Sequence, residues 1–495
     1  MNYDLEKQHK KGKLHAIERI NLLVDAGTFM EIGQSITHQC HDFGMDQIET
    51  PYDGVITGIG LVEGRQVGVY AQDFTIMGGS LGREHGKKIA RLIDICITSR
   101  CPVVGINDSG GARIQEGVGS LASYGDIFYQ NTRASGYIPQ ISVIAGPCAG
   151  GAVYSPGLTD FVFVIDNISK MFVTGPKVVK RVMNEDVTDE QLGGAEMHAR
   201  TSGVAHFISK DEKECFAQIK KLLKSIPHSR FESSWTDRDV KAMKKKCEIA
   251  DILPKEDTKG YDVRDIINEV FDKGSFVEVH QSFAQNAVVG LAKLSGVRVG
   301  IVANQPKIMG GVLDTNASDK VARFIRYCDA YEIPLVTLVD VPGYLPGTGE
   351  ETKGIIRHGA KVLYAYSEAN VPKLTLVMRK AYGGAYIAMC SKHLGADYVF
   401  AWPRAEIAVM GGPGAVDILY SKEMAKAADP NAIRQQKLEE YNAKFLSPDV
   451  AAQNGYVDEV IQMDQTRDRL FMALWSLRNK KSTDIIDKKH GNIPL

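Results

Sequence analysis

The sequence lacks the features that define several large classes of protein. No apolar run approaches the ~18 residues that a membrane-spanning helix needs, and the N-terminal stretch is charged throughout, without the apolar core of a secretory signal. The 59 basic residues almost cancel the 60 acidic ones, which leaves a net charge of -1. Neither nucleic acid nor an acidic membrane is therefore expected as the main partner. We expect a cytoplasmic protein with no membrane span.

Cysteine is sparse, and its distribution argues against a metal site. The eight cysteines form no CxxC pair, and no histidine lies at zinc-finger spacing from them. We expect reduced, mostly buried thiols and no metal.

Three common catalytic signatures are also missing. The chain has no GxSxG elbow, no GxxxxGK[ST] loop, and no GxGxxG between a strand and a helix. These absences disfavour a hydrolase nucleophile, a P-loop and a Rossmann dinucleotide site. A triad of Ser109, His198 and an aspartate stays open as an alternative.

The most informative stretch is residues 138–155, IPQISVIAGPCAGGAVYS. An apolar run, typical of a buried strand, passes through a Gly/Pro break into Gly150-Gly151 and the start of a helix. Glycine permits a positive φ and close approach of a ligand. The first N–H groups of a helix have no acceptor inside it, so this junction can bind an anion.

The same pattern recurs in residues 371–388, and the repeat extends along the chain. The matched positions lie 232 to 237 residues apart and occur in the same order: Gly64 and Gly296, residues 76–79 and 308–311, residues 102–108 and 334–340, Gly150-Gly151 and Gly383-Gly384, residues 160–163 and 397–400, and Gly175-Pro176 and Gly412-Pro413. We therefore predict two copies of one α/β domain, residues 1–233 and 234–495. Residues 226–262 are polar and are expected to form the linker.

Local patterns predict the elements of the first copy. Residues 4–25 are typical of an amphipathic helix, and residues 54–72 of a hairpin that turns at Glu63-Gly64. A helix over 84–99 followed by a strand over 102–107 indicates a parallel β-α-β arrangement. Lys244-Lys245-Lys246 is expected to be a solvated helix face.

A second glycine-rich motif, residues 108–113 (DSGGAR), follows a predicted strand. Strand ends are where open α/β sheets bind ligands, although such a motif can also be a plain tight turn. Two anion-binding junctions suit a reaction in which two oxyanions develop on two reactants. Arg113 could hold a phosphate or close the pocket, and a structural salt bridge is an equal alternative.

These motifs resemble those of one family. DSGGARIQEG, GPCAGGAVYSP and TSGVAHF in the first copy, with VDVPGYLPGTGEETKGIIRHGAK, RKAYGGAY and AEIAVMGGPGAV in the second, are similar to the carboxyltransferase (beta) subunits of biotin-dependent acyl-CoA carboxylases, the propionyl-CoA carboxylase type. Methylmalonyl-CoA decarboxylase alpha and transcarboxylase large subunits share the motifs. The resemblance implies two tandem crotonase-like domains, the N-terminal one for acyl-CoA and the C-terminal one for biotin.

The resemblance also implies a reaction and its residues. The family moves a carboxyl group from carboxybiotin to the α-carbon of a short acyl-CoA, here propionyl-CoA or acetyl-CoA, through a thioester enolate. By motif, Ala112, Gly150 and Gly151 would bind the thioester oxygen, and Gly383, Gly384 and Ala385 the biotin oxygen. The remaining assignments are Gly110, Gly111, Arg113 and Ile387 on the acyl-CoA side and Gly347 and Tyr386 on the biotin side.

The resemblance further implies partners. The chain has no biotinyl-lysine motif of the Met-Lys-Met kind and no ATP-binding carboxylase half. A separate biotin carboxyl carrier protein and a biotin carboxylase subunit are therefore expected, together with a hexamer built as a dimer of trimers. A decarboxylase or transcarboxylase that runs the transfer in reverse is the nearest rival. A crotonase-type thioester hydratase or hydrolase, or a non-catalytic scaffold, represents a different class.

Overall fold

The computed structural model describes residues 5–235, 246–256, 258–480 and 488–495. The chain forms two compact units, Met1–Glu232 and Ser233–Leu495. Of the predicted helix face at Lys244-Lys245-Lys246, the first two residues lie outside the described residues. Among the described residues, no helix is long and apolar enough to cross a membrane.

Unit 1 contains a mixed sheet whose centre is parallel. Its strands are β1 (Met30–Ile32), β2 (Val55–Val62), β3 (Arg65–Gln72), β4 (Val103–Ser109), β5 (Gln140–Ala149), β6 (Phe161–Ile165), β7 (Lys170–Phe172) and β8 (Phe207–Ser209). The order is β1-β2-β3-β4-β5-β6-β8, and β7 pairs with the end of β5. Strands β1, β2 and β3 are antiparallel, whereas β3 through β8 run parallel.

Unit 2 repeats this sheet. Its strands are β9 (Val277–Val279), β10 (Ala287–Leu294), β11 (Val297–Asn304), β12 (Leu335–Val341), β13 (Lys373–Tyr382), β14 (Tyr398–Ala401), β15 (Glu406–Ala408) and β16 (Glu459–Val460). The order is β16-β14-β13-β12-β11-β10-β9, with β15 beside the end of β13. The predicted duplication is thus confirmed: β12 follows β4 by 232 residues, and β13 follows β5 by 233.

Helices connect and cover the sheets. In unit 1 they are α1 (Leu5–His9), α2 (Ala16–Leu23), α3 (Arg83–Ser99), α4 (Val118–Ala134), α5 (Tyr154–Leu158), α6 (Pro176–Met183), α7 (Asp189–Gly193), α8 (Ala195–Met197) and α9 (Glu212–Ser225). In unit 2 they are α10 (Val263–Val270), α11 (Thr315–Ala330), α12 (Thr348–Lys353), α13 (Ile355–Glu368), α14 (Gly383–Ala388), α15 (Gly412–Leu419), α16 (Ser421–Met424), α17 (Pro430–Tyr441), α18 (Pro448–Gln453) and α19 (Thr466–Ser476).

The predicted hairpin between β2 and β3 is confirmed, and the turn shows why these residues form it. Glu63 and Gly64 both have positive φ, 50° and 77°, as a two-residue turn that matches the strand twist requires. Asp25 stabilises the turn, because its carboxylate accepts hydrogen bonds from both turn N–H groups, at 3.0 and 2.8 Å. In unit 2, Asp272 binds the turn at Ser295-Gly296 in the same way.

Central strands β4 and β12 are buried along their whole length, with helices packed on the sheet. Such strands have no solvent-exposed face, which explains why most of their residues are apolar, while the aspartate near the end of each strand is buried with them. All eight cysteines are free thiols, and seven of them are buried, as expected.

Two predictions about connecting segments were wrong. The single helix expected over 4–25 is two helices, because the chain breaks at Gly12 (φ 70°) and His15 caps α2; residue 4 lies outside the described residues. The expected linker over 226–262 is in part core of unit 2, where Ile249 and Tyr261 are buried. Residues 236–245 and 257 of that segment lie outside the described residues.

Candidate functional site

In unit 1 the backbone turns sharply where β5 ends. Gly150 has a φ of 62°, a conformation that side chains other than glycine adopt only at a cost. A short helical turn, Gly150–Val153, begins there and leads into α5. The first N–H groups of this turn have no acceptor within it. Gly150 and Gly151 are half-buried, so a ligand atom can approach these donors.

A second N–H group comes from the loop that follows β4. Leu81 donates to the carbonyl of Gly111 and accepts from the N–H of Arg113, both at 2.9 Å. These bonds flank Ala112, so the N–H of Ala112 itself points away from Leu81. Ser109 and Cys148 are paired neighbours on β4 and β5, which brings the two loops to the same edge of the sheet.

The other unit 1 residues predicted from the sequence are engaged within the fold. The N–H of Gly110 donates to the carbonyl of Gly78 at 2.9 Å, and that of Gly111 to Ser109 Oγ at 3.2 Å. The Arg113 guanidinium is fully buried, where it donates to Asp53 Oδ1 (2.7 Å) and Glu116 Oε1 (2.8 Å). This geometry favours the structural salt bridge over a phosphate contact for Arg113.

Unit 2 builds the same junction at the end of β13. Gly383 has a φ of 59°, and α14 begins at this residue. A Cβ placed on Gly384 would meet no atom within 4 Å, so the space before the helix is open. Ala385 is buried, and its N–H belongs to the same first turn.

Tyr344 of unit 2 corresponds to Ala112, and sequence reasoning missed it. Leu313 donates to the carbonyl of Gly343 (3.0 Å) and accepts from the N–H of Leu345 (2.8 Å), so the N–H of Tyr344 is oriented like that of Ala112. The signal was present, because Tyr344 lies 232 residues after Ala112. Sequence reasoning assigned Gly347 to the biotin side instead. Gly347 is exposed and directly precedes α12.

Two tyrosine hydroxyls in unit 2 are buried without a hydrogen-bond partner among the described residues, those of Tyr344 and Tyr386. Burial raises the pKa of Tyr344 to about 12 and raises the pKa of Tyr386. Both hydroxyls therefore keep their protons at neutral pH and can donate. Ile387, the next residue of α14, is 39% exposed.

The structure does not support the Ser109–His198 triad. The ring nitrogens of His198 bond to Ser202 Oγ and to the carbonyl of Met171, each at 2.8 Å. Ser109 Oγ accepts the N–H of Gly111 instead. Across the described residues, no group of three or more His, Cys, Asp or Glu side chains is arranged to hold a metal ion.

Glu350 anchors α12, the helix that follows Gly347. Its carboxylate accepts hydrogen bonds from Thr315 Oγ1 (2.6 Å), Lys353 Nζ (2.9 Å) and Thr315 N (2.9 Å). These bonds, the Thr315 hydroxyl first, lower the pKa of Glu350 to about 2. The stabilisation is therefore complete above the ordinary pKa of 4.5 and is lost as the pH falls towards 2.

We expect Glu350→Gln to lower the free energy of unfolding more at pH 7 than at pH 3. Urea unfolding of both proteins at the two pH values measures this difference. An equal deficit at both values would show that the bonds do not depend on the charge.

Comparison with known proteins identifies the family of this chain. The carboxyl transferase domain family matches residues 7–493, so the chain belongs to this family and is a carboxyltransferase. Each unit has the crotonase-like fold predicted from the sequence. The relatives include subunits of propionyl-CoA carboxylase, methylmalonyl-CoA decarboxylase and transcarboxylase.

Three relatives illustrate the similarity. The carboxyltransferase subunit of propionyl-CoA carboxylase from Haloferax mediterranei is 53% identical, over 99% of this chain and 95% of its own length. Methylmalonyl-CoA decarboxylase subunit alpha from Propionigenium modestum is 51% identical over the same shares. The crystal structure of the transcarboxylase 12S hexamer with methylmalonyl-coenzyme A and methylmalonic acid bound superposes with a TM-score of 0.95, at 50% identity, covering 99% of this chain and 94% of that one.

Proposed function

We propose that this chain is the carboxyltransferase subunit of a cytoplasmic acyl-CoA carboxylase. It moves a carboxyl group from carboxybiotin to the α-carbon of a short acyl-CoA, propionyl-CoA before acetyl-CoA, through a thioester enolate. The observation that carries this proposal is the doubled junction, at Gly150-Gly151 and at Gly383-Gly384, each with a left-handed first glycine. A transfer between two reactants develops negative charge on two oxygens, and each oxygen needs its own donors.

The N-terminal domain, residues 1–233, is assigned to acyl-CoA. The N–H groups of Ala112, Gly150 and Gly151 bind the thioester oxygen and stabilise it when the α-proton leaves. One such donor typically contributes about 2.7–4 kcal/mol to the transition state. Gly110, Gly111 and the buried Arg113 fix the loop that presents Ala112, and Ile387 is assigned to the acyl pocket.

The C-terminal domain, residues 234–495, is assigned to biotin, which supplies the carboxyl group and a basic ureido oxygen. The residues present fit this group. The open space beside Gly384 would admit the ureido oxygen to the N–H groups of Gly383, Gly384 and Ala385. The hydroxyl of Tyr386, which has no hydrogen-bond partner within the described part of the chain, offers a further donor, and Gly347 directly precedes α12.

Biotin would arrive on another protein. We therefore propose a biotin carboxyl carrier protein and a biotin carboxylase subunit as partners. A homohexamer is proposed as well, because the transcarboxylase 12S protein, with a TM-score of 0.95, is a hexamer. The free cysteines fit the reducing cytoplasm.

The half-reaction with free biotin tests this function. We expect the purified chain to decarboxylate methylmalonyl-CoA when biotin is added, and malonyl-CoA more slowly, with the release of propionyl-CoA or acetyl-CoA followed by chromatography. Omission of biotin is the control and should stop turnover.

Other results would contradict the proposal in identifiable ways. Hydration or hydrolysis of the thioester without biotin would indicate a crotonase-type hydratase or hydrolase. Faster turnover of malonyl-CoA would overturn the preference for the propionyl chain. A sodium-pumping membrane subunit that co-purifies with the chain would assign it to a decarboxylase.

A further inference from the structure

Each unit buries an aspartate at the end of its central strand, directly before the loop that presents a candidate N–H donor. Asp108 ends β4 and is fully buried, and Asp340 holds the same place in β12 at 1% exposure. The N–H of each donates at 3.2 Å to the amide oxygen of a side chain on the neighbouring strand, Gln72 or Asn304. A buried carboxylate needs a cation, so the source of that cation decides how firmly the loop is held.

In unit 2 the cation comes from the adjacent strand. Arg379 on β13 donates through Nε to Asp340 Oδ2 at 2.7 Å, and the N–H of Lys380 donates to Oδ1 at 3.2 Å. Arg379 is itself fixed by the carbonyl of Lys259 (2.9 Å) and lies over the ring of Tyr261 (4.8 Å). Both carboxylate oxygens of Asp340 thus accept a hydrogen bond from the adjacent strand β13.

Unit 1 has lost both of these donors. The positions of Arg379 and Lys380 are occupied in β5 by Gly146, which has no side chain, and by Pro147, which has no N–H. Asp108 Oδ1 is accordingly buried with no hydrogen-bond partner among the described residues. A Cβ on Gly146 would lie 2.0 Å from this oxygen and 2.6 Å from Lys13 Nζ. Asp108 and Lys13 therefore occupy the space that an arginine side chain at position 146 would need.

The N-terminal segment supplies the missing charge. Lys13 Nζ and Arg19 NH1 both donate to Asp108 Oδ2, at 2.7 and 2.9 Å. Arg19 on α2 also donates through Nε to Glu212 Oε1 (2.6 Å) and through NH2 to the carbonyl of Ala145 on β5 (2.7 Å). The two cations and two carboxylates balance, and Arg19 joins α2 to the ends of both β4 and β5.

The segment of unit 2 that corresponds to this N-terminal segment has no lysine or arginine at the positions of Lys13 and Arg19. Asp25 after α2 and Asp272 after α10 bind their hairpin turns identically, which fixes an offset of 247 residues between the two helices. At that offset Lys13 corresponds to Gly260 and Arg19 to the fully buried Ile266. Four positions therefore differ together: Lys13, Arg19, Gly146 and Pro147 in unit 1 are Gly260, Ile266, Arg379 and Lys380 in unit 2.

We propose that Arg19, assisted by Lys13, is a positioning residue for the donors of unit 1, in the role that Arg379 has for unit 2. Arg19 fixes the end of β4 through Asp108, and with it the loop to Ala112. It also fixes β5 five residues before Gly150, through the carbonyl of Ala145. The inference rests on the proposed assignment of unit 1 to acyl-CoA and unit 2 to biotin. A displacement of about 1 Å in such donors is enough to lower turnover strongly.

The test uses the full-length protein in the methylmalonyl-CoA half-reaction with free biotin. Arg19→Ile is expected to lower kcat/KM for methylmalonyl-CoA at least tenfold and to leave the KM for biotin within twofold. Arg379→Gly should do the reverse, raising the KM for biotin and leaving the KM for methylmalonyl-CoA. Arg133→Ile, which removes an exposed arginine of unit 1 paired with Asp94, is the matched control and should change neither.

A transplant sharpens the test. The triple variant Lys13→Gly, Arg19→Ile, Gly146→Arg gives unit 1 three of the four residues of unit 2, including the arginine on the adjacent strand, and we expect it to recover at least a third of the kcat/KM that Arg19→Ile loses. A purely structural role would affect thermal unfolding but not the division between the two substrates.

The outcomes are separable. A KM for biotin that changes by more than twofold in Arg19→Ile, or wild-type kinetics in its folded form, would overturn the inference. If Arg19→Ile does not fold, Arg19→Lys keeps the charge near Asp108 but gives up bonds to Glu212 and Ala145. Wild-type kinetics for Arg19→Lys would then overturn it, and a smaller effect on methylmalonyl-CoA alone would support it. Absence of biotin-dependent turnover in the wild type would instead refute the proposed function.

Discussion

Replacing Gly384 by valine is expected to reduce biotin-dependent turnover by about 10²-fold or more while the protein stays folded. A Cβ at this position meets no atom within 4 Å, so the fold has room for the side chain. The valine methyl groups would instead fill the space before the N–H groups of α14, where we place the biotin oxygen. The measurements are kcat/KM for biotin in the half-reaction, CoA binding by calorimetry, and thermal unfolding.

The control is Gly125→Val, since Gly125 is exposed on α4 and its added Cβ also meets nothing within 4 Å. Turnover by Gly384→Val close to the wild-type rate would refute the assignment of this junction. The corresponding change at Gly151 is a less clean probe. Its Cβ would lie 3.2 Å from the buried ring of Tyr124, so a loss of activity there would be mixed with overpacking.

Gly79→Ala is expected to be strongly destabilising, costing about 3 kcal/mol or more of unfolding free energy. Gly79 has a φ of 64°, and a Cβ there would lie 2.1 Å from the backbone carbonyl oxygen of Asp108. Backbone at the end of a buried central strand cannot move aside easily. The left-handed conformation alone accounts for about 1–2 kcal/mol.

Gly78→Ala supplies the matched control, because Gly78 has the same φ but a Cβ there would meet only the Phe74 ring, at 4.0 Å. We expect this variant to lose only the conformational part, about 1–2 kcal/mol. Urea unfolding followed by circular dichroism compares the two. Equal destabilisation would show that the contact with Asp108, and not φ, has been overestimated.

The duplicated architecture could be predicted from the sequence because its signals are local and repeated. The turn at Glu63-Gly64 needs two left-handed residues, and the junctions at Gly150 and Gly383 need one each, so glycine marks them directly. Continuous apolar runs mark the buried parallel strands. Recurrence of these signals at nearly constant spacing made each one stronger than it would be alone.

The features that sequence reasoning missed depend on contacts between distant residues. Lys13 and Arg19 bind Asp108, which lies 95 and 89 residues further along the sequence. No local pattern indicates that the glycine at position 146 leaves space for these two side chains. For Arg113 the sequence left a ligand contact and a salt bridge equally open, because its partner Asp53 lies 60 residues earlier. Sequence reasoning missed Tyr344 for another reason. The candidate donor is its backbone N–H and not its side chain, so the residue type gives no signal.

The two units pair their buried aspartates with cations from different elements, and this difference has a consequence for folding. A chain that contains the same domain twice risks misassembly, because an element made early can dock on the wrong copy. Helix α2 fits the Asp108 end of β4 only because Gly146 leaves space for Arg19 and Lys13. On the β12 end it would bring two more cations to an aspartate already paired with Arg379. We therefore expect the different cations of the two units to favour docking of α2 on unit 1 over docking on unit 2.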